Sequence, residues 1–199
     1  HVPVGESTIT LEDINVLWGL RVEGVVVSGE DSRITINQTI AMCQSLLGFT
    51  PEPNEFKGKT IHSASILREI KKPFSEAEVS HEECIIRARL IIFYLIGCTI
   101  LPDNANNKIS LHFLNFLHDL TTCSQYSWGS AVLARLYRNL CNATSPDAVN
   151  ITGQVFILQM WAWERIRCIA LEPNTEFDYS MPLATQYITN SNIFNISIK

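Results

Sequence analysis

The segment that most constrains the fold is residues 126–141, which read YSWGSAVLARLYRNLC. Its apolar residues recur every three or four positions, which is the spacing of one face of an α-helix. Ser127 precedes them, and its hydroxyl is suited to accept a hydrogen bond from the free amides of a first helical turn. The pattern therefore predicts a helix with a broad buried face, whose narrower polar side carries Arg135, Arg138 and Asn139.

A second aromatic helix is predicted for residues 153–166, which read GQVFILQMWAWERI. Aromatic and aliphatic side chains dominate this segment, so most of its surface must be buried. We expect it to pack against helix 126–141, or both to pack against the helix that precedes them. The two helices would then form the centre of one hydrophobic core.

The rest of the chain is also mostly helical in pattern. Residues 7–10 and the β-rich stretch RVEGVVVSG are expected to pair as short strands. The predicted fold is mainly α, a single multi-helix domain with a small N-terminal β-sheet element. It covers residues 1–171, and residues 172–199 are predicted to be an irregular C-terminal tail of the same domain. Further helices are expected over 11–20 (with Thr10 as its N-cap and Gly19 at its exit), 34–47, 61–72, 75–101 (with Ser80 as the point of a break) and 111–120.

Composition excludes several classes of protein. The 199 residues carry a net charge of −5, which argues against a broad nucleic-acid footprint because phosphate contacts need clustered Lys and Arg. Most of the six cysteines lie in apolar runs, where a reduced Cys behaves as a small hydrophobe, and this indicates a reducing compartment. The apolar run 90–101 is shorter than the roughly 20 residues that a membrane helix needs, so no membrane association is expected.

The motifs of common active sites are incomplete. The letters GKT at residues 58–60 resemble the end of a phosphate-binding loop, but Pro53 stands where that loop needs Gly. The histidines are scattered, and the serines of YSWGSA do not form a Gly-x-Ser-x-Gly elbow. The string TLEDINVLWGL resembles the opening of a helix-turn-helix, but a β-rich segment follows it instead of a polar recognition helix. No catalytic residue, metal ligand, cofactor or small-molecule substrate is predicted.

Four blocks of the chain together resemble the plant mobile domain, the family of the Maintenance of Meristems and Maintenance-of-Meristems-like proteins. YSWGSA, LYRNLC and MWAWERI are the most specific matches. Trp18 departs from the aliphatic residue usual in the family, and RCIAL follows the Trp-Glu-Arg where a proline-bearing continuation is expected. The resemblance implies an N-terminally trimmed plant mobile domain over residues 1–171. The blocks, in chain order, are GESTITLEDINVLWGLRVEGVVVSG, RARLIIFYLIGCTILPDNANNKISLHFLNFLHDL, YSWGSAVLARLYRNLC and GQVFILQMWAWERI.

The resemblance also implies a function. Cellular members of the family act in the nucleus, in transposable-element silencing, genome integrity and meristem maintenance. They are linked to a protein partner resembling protein phosphatase 7 and to an indirect association with chromatin. The name "aminotransferase-like", used for some members, carries no weight here because no lysine lies in a pyridoxal-type context. The domain is expected to be non-catalytic.

Tryptophan and arginine are the usual anchors of protein interfaces, so the end of the aromatic helix is the first candidate surface. Burial of both tryptophans in the core is the alternative at this helical spacing. Arg135 and Arg138 lie one turn apart, and they are expected to pair with Glu164 or with acidic groups of a partner. The residues of this candidate surface are Arg135, Arg138, Trp161, Trp163, Glu164 and Arg165.

Three hypotheses follow. The first is a non-catalytic protein-interaction module of the nucleus. The second is a transposase-derived nucleic-acid-binding domain, whose DNA binding would depend steeply on salt. The third is an enzyme of unknown class, which would need a cleft that gathers acids or a nucleophile with shifted pKa values.

Overall fold

The computed structural model describes residues 7–28, 35–74, 80–103, 107–148, 151, 153–172, 178 and 180–187. Within these residues the fold is mainly α with one small antiparallel sheet, and the predicted fold class is confirmed. The α-helices are α1 (Leu11–Trp18), α2 (Ile36–Met42), α3 (Ser63–Lys71), α4 (His81–Leu95), α5 (Trp128–Ala143) and α6 (Val155–Arg165). The strands, in their order across the sheet, are β1 (Phe56–Lys57), β2 (Thr60–His62) and β3 (Lys108–Ser110).

Shorter helical turns extend or connect these elements. Helices α2 and α4 each continue into a π-helical turn, at Cys43–Leu47 and Ile96–Ile100. The predicted helix over 111–120 is a 3-10 helix over Leu111–Phe116 instead of an α-helix. Further 3-10 helices lie at Pro53–Glu55, Cys123–Gln125 and Leu183–Tyr187.

The sheet is formed by other segments than those predicted from the sequence. Residues 7–10 form no strand: Ile9 is fully buried, and its carbonyl accepts a hydrogen bond from the Tyr137 hydroxyl (2.5 Å). The stretch 21–28 makes only an isolated parallel bridge, from Val25 to Tyr126. It runs beside the start of α5 because the Val25 backbone exchanges hydrogen bonds with Gln125 and Ser127.

The sheet lies against the end of α4. Ile61 of β2 faces Ile109 of β3 in register, and both side chains are fully buried. Gly97, in the π-helical turn after α4, packs so closely that a Cβ atom there would lie 2.2 Å from Ile109 Cγ2. Phe93 of α4 is also completely buried. The three-stranded sheet therefore packs against the end of α4.

Helix α1 is well defined at both ends. Thr10 and Asp13 form the reciprocal capping box that closes its N-terminus, as the sequence predicts for Thr10. Gly19 ends the helix with a left-handed backbone (φ 68°), also as predicted. Helices α5 and α6 both pack on α1, and they contact it more extensively than they contact each other. The sequence left open whether the two aromatic helices pack on each other or on the helix that precedes them, and in the structure α1 packs against both.

Ser127 does not cap α5 as predicted. It is the residue before the first helical turn, but no side-chain capping bond is formed, and its Oγ donates to the Val25 carbonyl instead (3.1 Å). The reason is the neighbouring stretch 21–28, which supplies an acceptor close to the hydroxyl. Gly129 allows this approach, because a Cβ atom there would lie 2.9 Å from Val22 Cγ1 and 3.1 Å from the Arg21 carbonyl.

The remaining predictions are partly tested. Strand β2 occupies the start of the predicted helix 61–72, and α3 forms the rest of it. Ser80 caps α4, while residues 75–79 lie outside the described part of the chain. The predicted irregular tail 172–199 is described only at 172, 178 and 180–187, where Leu183–Tyr187 is helical.

Candidate functional site

A cleft of about 220 Å³ lies between α1, the end of α6 and the 3-10 helix Leu183–Tyr187. We call it the α1–α6 cleft. Val16, Leu17 and Leu183 form its apolar wall. The charged residues that line it are Glu12, Asp13, Glu164 and Arg165. Three carboxylates thus face one guanidinium, so the cleft is acidic and has an apolar side.

Asp13 is held in the cleft by the sequence that starts α1. The Thr10 amide and hydroxyl both donate to Asp13 Oδ2 at 2.8 Å, and the Asp13 amide donates to Thr10 Oγ1 at 3.2 Å. The other carboxylate oxygen, Oδ1, accepts from Arg165 Nη2 at 2.6 Å. Burial alone would raise the pKa of Asp13, but the hydrogen bonds from Arg165 and Thr10 outweigh it and hold that pKa below its usual value. Asp13 is therefore an ionised carboxylate that fixes the end of α6 against α1.

Glu164 holds the 3-10 helix Leu183–Tyr187 against α6. Its Oε1 accepts hydrogen bonds from the Tyr187 hydroxyl at 2.6 Å and from the side-chain Nε2 of Gln186. The Tyr187 ring packs on Trp163, with 5.1 Å between the ring centroids. Burial, and next the hydrogen bond to Glu164, raise the pKa of Tyr187 above its usual value. The hydroxyl therefore remains a donor to Glu164 throughout the physiological pH range.

The four candidate residues on α6 divide into two pairs. Glu164 and Arg165 are exposed and line the α1–α6 cleft. Trp161 is half-buried against the core, and Trp163 is half-buried against Tyr187. Neither tryptophan is fully in the core or fully at the surface, because α6 lies at the edge of the molecule with only one face on α1.

The two arginines of α5 are not part of this cleft. Arg138 is exposed, and Arg135 is half-buried near the carboxylate of Asp103. Burial lowers the pKa of Arg135, and its Nε has no hydrogen-bond partner among the residues that the structure describes. The partners of Glu164 are Tyr187 and Gln186, so the alternative in which these arginines pair with Glu164 is not what the structure shows.

A second polar region surrounds Arg135. Within the described ranges, four buried side-chain atoms lack a hydrogen-bond partner: Asp103 Oδ1, Arg135 Nε, Asn139 Nδ2 and Gln154 Oε1. Gln154 is fully buried and donates to the Ile100 carbonyl. Gly153 touches Asn139, since a Cβ atom at that position would lie 2.3 Å from Asn139 Nδ2.

Two kinds of reactive site can be compared with the described residues: a metal centre and an activated thiol. No group of three or more His, Cys, Asp or Glu side chains among them is arranged to hold a metal ion. Burial raises the pKa of the Cys43 thiol to about 12, so it is not a nucleophile at neutral pH. None of the helices in the described ranges has the length and hydropathy that a membrane crossing requires.

The sequence alone did not reveal Glu12, Asp13, Val16 or Leu183 as site residues. The sequence predicted Thr10 as the N-cap of α1, and in the structure the capping box with Thr10 orients Asp13. The cleft, however, is formed by three segments that are distant along the chain, and no local pattern predicts that α1 lies between α5 and α6. Only the tertiary packing of α6 on α1 brings Arg165 to Asp13.

Comparisons with known proteins agree with the resemblance of the four sequence blocks. Residues 1–195 match the family model of the plant mobile domain. The chain is 36% identical over 165 residues to "Protein MAIN-LIKE 2" of Arabidopsis thaliana, a match that covers 82% of this chain and 24% of that protein. It is 31% identical over 165 residues to "Protein MAINTENANCE OF MERISTEMS" of the same plant, covering 82% of this chain and 33% of that protein.

A third relative carries a different name. The chain is 35% identical over 166 residues to the "Serine/threonine-protein phosphatase 7 long form homolog" of Arabidopsis thaliana, which covers 83% of this chain and 12% of that protein. The chain thus spans at most a third of the length of these three relatives. No solved structure matches the chain.

Proposed function

Because the chain belongs to the plant mobile domain family, we propose that it is a non-catalytic protein-interaction module of the nucleus. In this proposal it acts in transposable-element silencing, genome integrity and meristem maintenance. Residues 1–171 form the domain, and residues 172–199 are its C-terminal tail. Its association with chromatin is indirect, through a protein partner.

The α1–α6 cleft is the observation that carries this proposal. It is held by fixed contacts on both sides, from Asp13 to Arg165 and from Glu164 to Tyr187. It presents an apolar wall with Val16 44% exposed, next to several charged groups. Such a surface suits contact with a protein, whereas its volume is below the roughly 300–1,000 Å³ usual for a small-molecule site.

The names of the relatives support the choice of partner. The same domain occurs in proteins named for meristem maintenance and in one named for protein phosphatase 7. We propose that the partner of this chain is a protein resembling protein phosphatase 7. The nucleic-acid-binding hypothesis has less support, since the net charge is −5 and the described cleft is acidic.

The test is co-immunoprecipitation from plant nuclei with the tagged chain, followed by mass spectrometry. We expect recovery of a phosphatase-7-type protein, and a variant carrying Val16→Asp in the cleft should recover much less of it. The matched control is Val26→Asp, because Val26 is 71% exposed and lies outside the cleft. Absence of any phosphatase-type protein, together with salt-dependent DNA binding in a gel shift, would contradict the proposal and favour the nucleic-acid hypothesis.

A further inference from the structure

The α1–α6 cleft has two features that together restrict what it can bind. One is the apolar wall of Val16, Leu17 and Leu183, and the other is the excess of carboxylates over guanidinium groups. If only an apolar side chain entered the cleft, the carboxylates would lose water without gaining a partner. If only a small cation entered, the apolar wall would stay exposed to water. A long side chain with an aliphatic stem and a cationic end satisfies both.

The charged groups of the cleft are not equally available. Asp13 is 6% exposed and is already bonded to Arg165 and Thr10. Glu12 is exposed on the first turn of α1. Glu164 receives both of its described hydrogen bonds on Oε1. Glu12 and Glu164 both interact electrostatically with Arg165, but they are exposed, so they are the carboxylates that an incoming cation can reach.

The cleft also contains an internal example of the chemistry it accepts. Arg165 Nη2 lies 2.6 Å from Asp13 Oδ1, and the Arg165 side chain remains 61% exposed. A guanidinium thus already binds a carboxylate at this cleft. Arginine is better suited than lysine to such a site, because its planar group donates in parallel to carboxylate oxygens and is less strongly hydrated.

We propose that the α1–α6 cleft binds an arginine side chain from a segment of the partner protein, with the guanidinium on Glu12 and Glu164 and the stem against Val16 and Leu183. This inference rests on the proposed function of a protein-interaction module, and it names the chemistry of the partner. The volume of about 220 Å³ is sufficient for one long side chain and not for a folded element. The partner segment is therefore expected to be extended, with one arginine between apolar residues.

The first experiment measures binding of dye-labelled nine-residue peptides to the chain by fluorescence anisotropy. One peptide has a central arginine flanked by leucines, and matched peptides carry citrulline or lysine at the centre. We expect the arginine peptide to bind about tenfold more tightly than the citrulline peptide, with affinity falling as salt rises. Equal binding of the citrulline peptide, or equal binding of the lysine peptide, would overturn the proposal.

Variants of the chain test the location. Glu12→Lys and Glu164→Gln should each weaken the arginine peptide, about tenfold and about threefold, because one reverses and the other removes a charge. Gln at position 164 keeps an oxygen that can accept from Tyr187, so the 3-10 helix should stay in place. The control is Glu23→Lys, which makes the same charge change as Glu12→Lys at an exposed residue outside the cleft. If Glu23→Lys weakened peptide binding as much as Glu12→Lys, the peptide would be attracted only by long-range charge, and the proposed arginine site would be wrong.

Folding and partner recovery separate the two proposals. Thermal unfolding of each variant should remain within a few degrees of the original chain, and amide shifts induced by the peptide should map to residues 12–17 and 183–187. If the phosphatase-type partner is still recovered by the Glu12→Lys variant at full yield, the arginine site is wrong and the interaction module stands. If peptide binding follows the prediction but nuclei yield no protein partner, the arginine site stands and the proposed function fails.

Discussion

Two arginines in different regions of the molecule show how differently the same side chain can be used. Arg89 of α4 is 8% exposed, and its guanidinium donates to the backbone carbonyls of Leu117 (2.8 Å) and Leu46 (2.9 Å). Arg165 of α6 is largely exposed and donates to the carboxylate of Asp13. The first joins three chain segments in the core, whereas the second forms part of an open cleft.

The surroundings of the two arginines differ in the same way. Around Arg89 the structure is closely packed, with Gly97 against Ile109 and Phe93 fully buried. Among the described residues that line the cleft around Arg165, only Asp13 and Leu17 are buried, whereas Glu12, Val16 and Glu164 are exposed. From this comparison we expect the α4 region to supply stability and propose that the α1–α6 cleft makes contacts with other proteins.

The largest effect is expected from Arg89→Met. This change leaves buried carbonyls of Leu117 and Leu46 without their charged donor, which should cost about 4 kcal/mol of unfolding free energy. Urea unfolding followed by circular dichroism measures this loss. The control is Arg138→Met on the exposed side of α5, which should change stability by less than about 0.5 kcal/mol. Equal effects of the two changes would remove the distinction between the regions.

A smaller loss is expected from Gly97→Ala. The added Cβ atom would meet three atoms of Ile109 within 2.8 Å, so the sheet must move away from α4. Overpacking of this kind should destabilise the chain by about 2 kcal/mol, measured by the same urea titration. Gly58→Asn is the matched control, because Gly58 has nothing within 4 Å and Asn tolerates its φ of 63°. A neutral Gly97→Ala would mean that the α4 region is less tightly packed than described.

Thr10→Ala should have an effect of about 1 kcal/mol, the usual cost of losing an N-cap. Thr35→Ala removes the equivalent capping box of α2 and should cost a similar amount. Only Thr10→Ala should also raise the pKa of Asp13, since it removes the hydroxyl that donates to Asp13 Oδ2, while the backbone amide bond at residue 10 remains. Carboxyl titration by nuclear magnetic resonance checks this difference. An unchanged Asp13 pKa in Thr10→Ala would contradict the conclusion that the capping box controls the Asp13 carboxylate of the cleft.

The smallest effect concerns acid stability. The pKa of Asp13 is lower in the folded chain than the ordinary value of 3.8. Its stabilising contribution is therefore complete above about pH 4 and is lost as pH falls through the folded pKa. Asp13→Asn should reduce the dependence of unfolding free energy on pH below 4, by less than about 1 kcal/mol. An identical acid limb in Asp13→Asn and in the control Glu12→Gln would contradict this contribution.

Local patterns in the sequence identified most of the helices. The apolar spacing predicted α5 and α6, and Thr10 and Gly19 correctly marked the ends of α1. These features depend on neighbouring residues, so a sequence shows them directly. Ser127 was predicted as a capping side chain and is not one, because Val25 competes for its hydroxyl from a segment about a hundred residues earlier.

Features that depend on contacts between distant segments could not be predicted from the sequence. Strands β1 and β2 contain two and three residues, too few to show the alternation that identifies a strand. The stretch 21–28 is rich in the β-branched residues typical of strands. Its backbone nevertheless forms hydrogen bonds with the start of α5 and not with another of the described strands. Of the candidate surface, Glu164 and Arg165 line the cleft, while Leu183 was missed because its position depends on the contact of Tyr187 with Glu164.

The central claim is that the chain works by contact through the α1–α6 cleft. Hydrogen–deuterium exchange of the chain, alone and with a protein resembling protein phosphatase 7, tests it most directly. The account predicts that the partner slows exchange at residues 11–18, 155–165 and 183–187, and leaves α4 unchanged. Protection confined to α4 and the sheet, or none at any residue when the partner is bound, would contradict it.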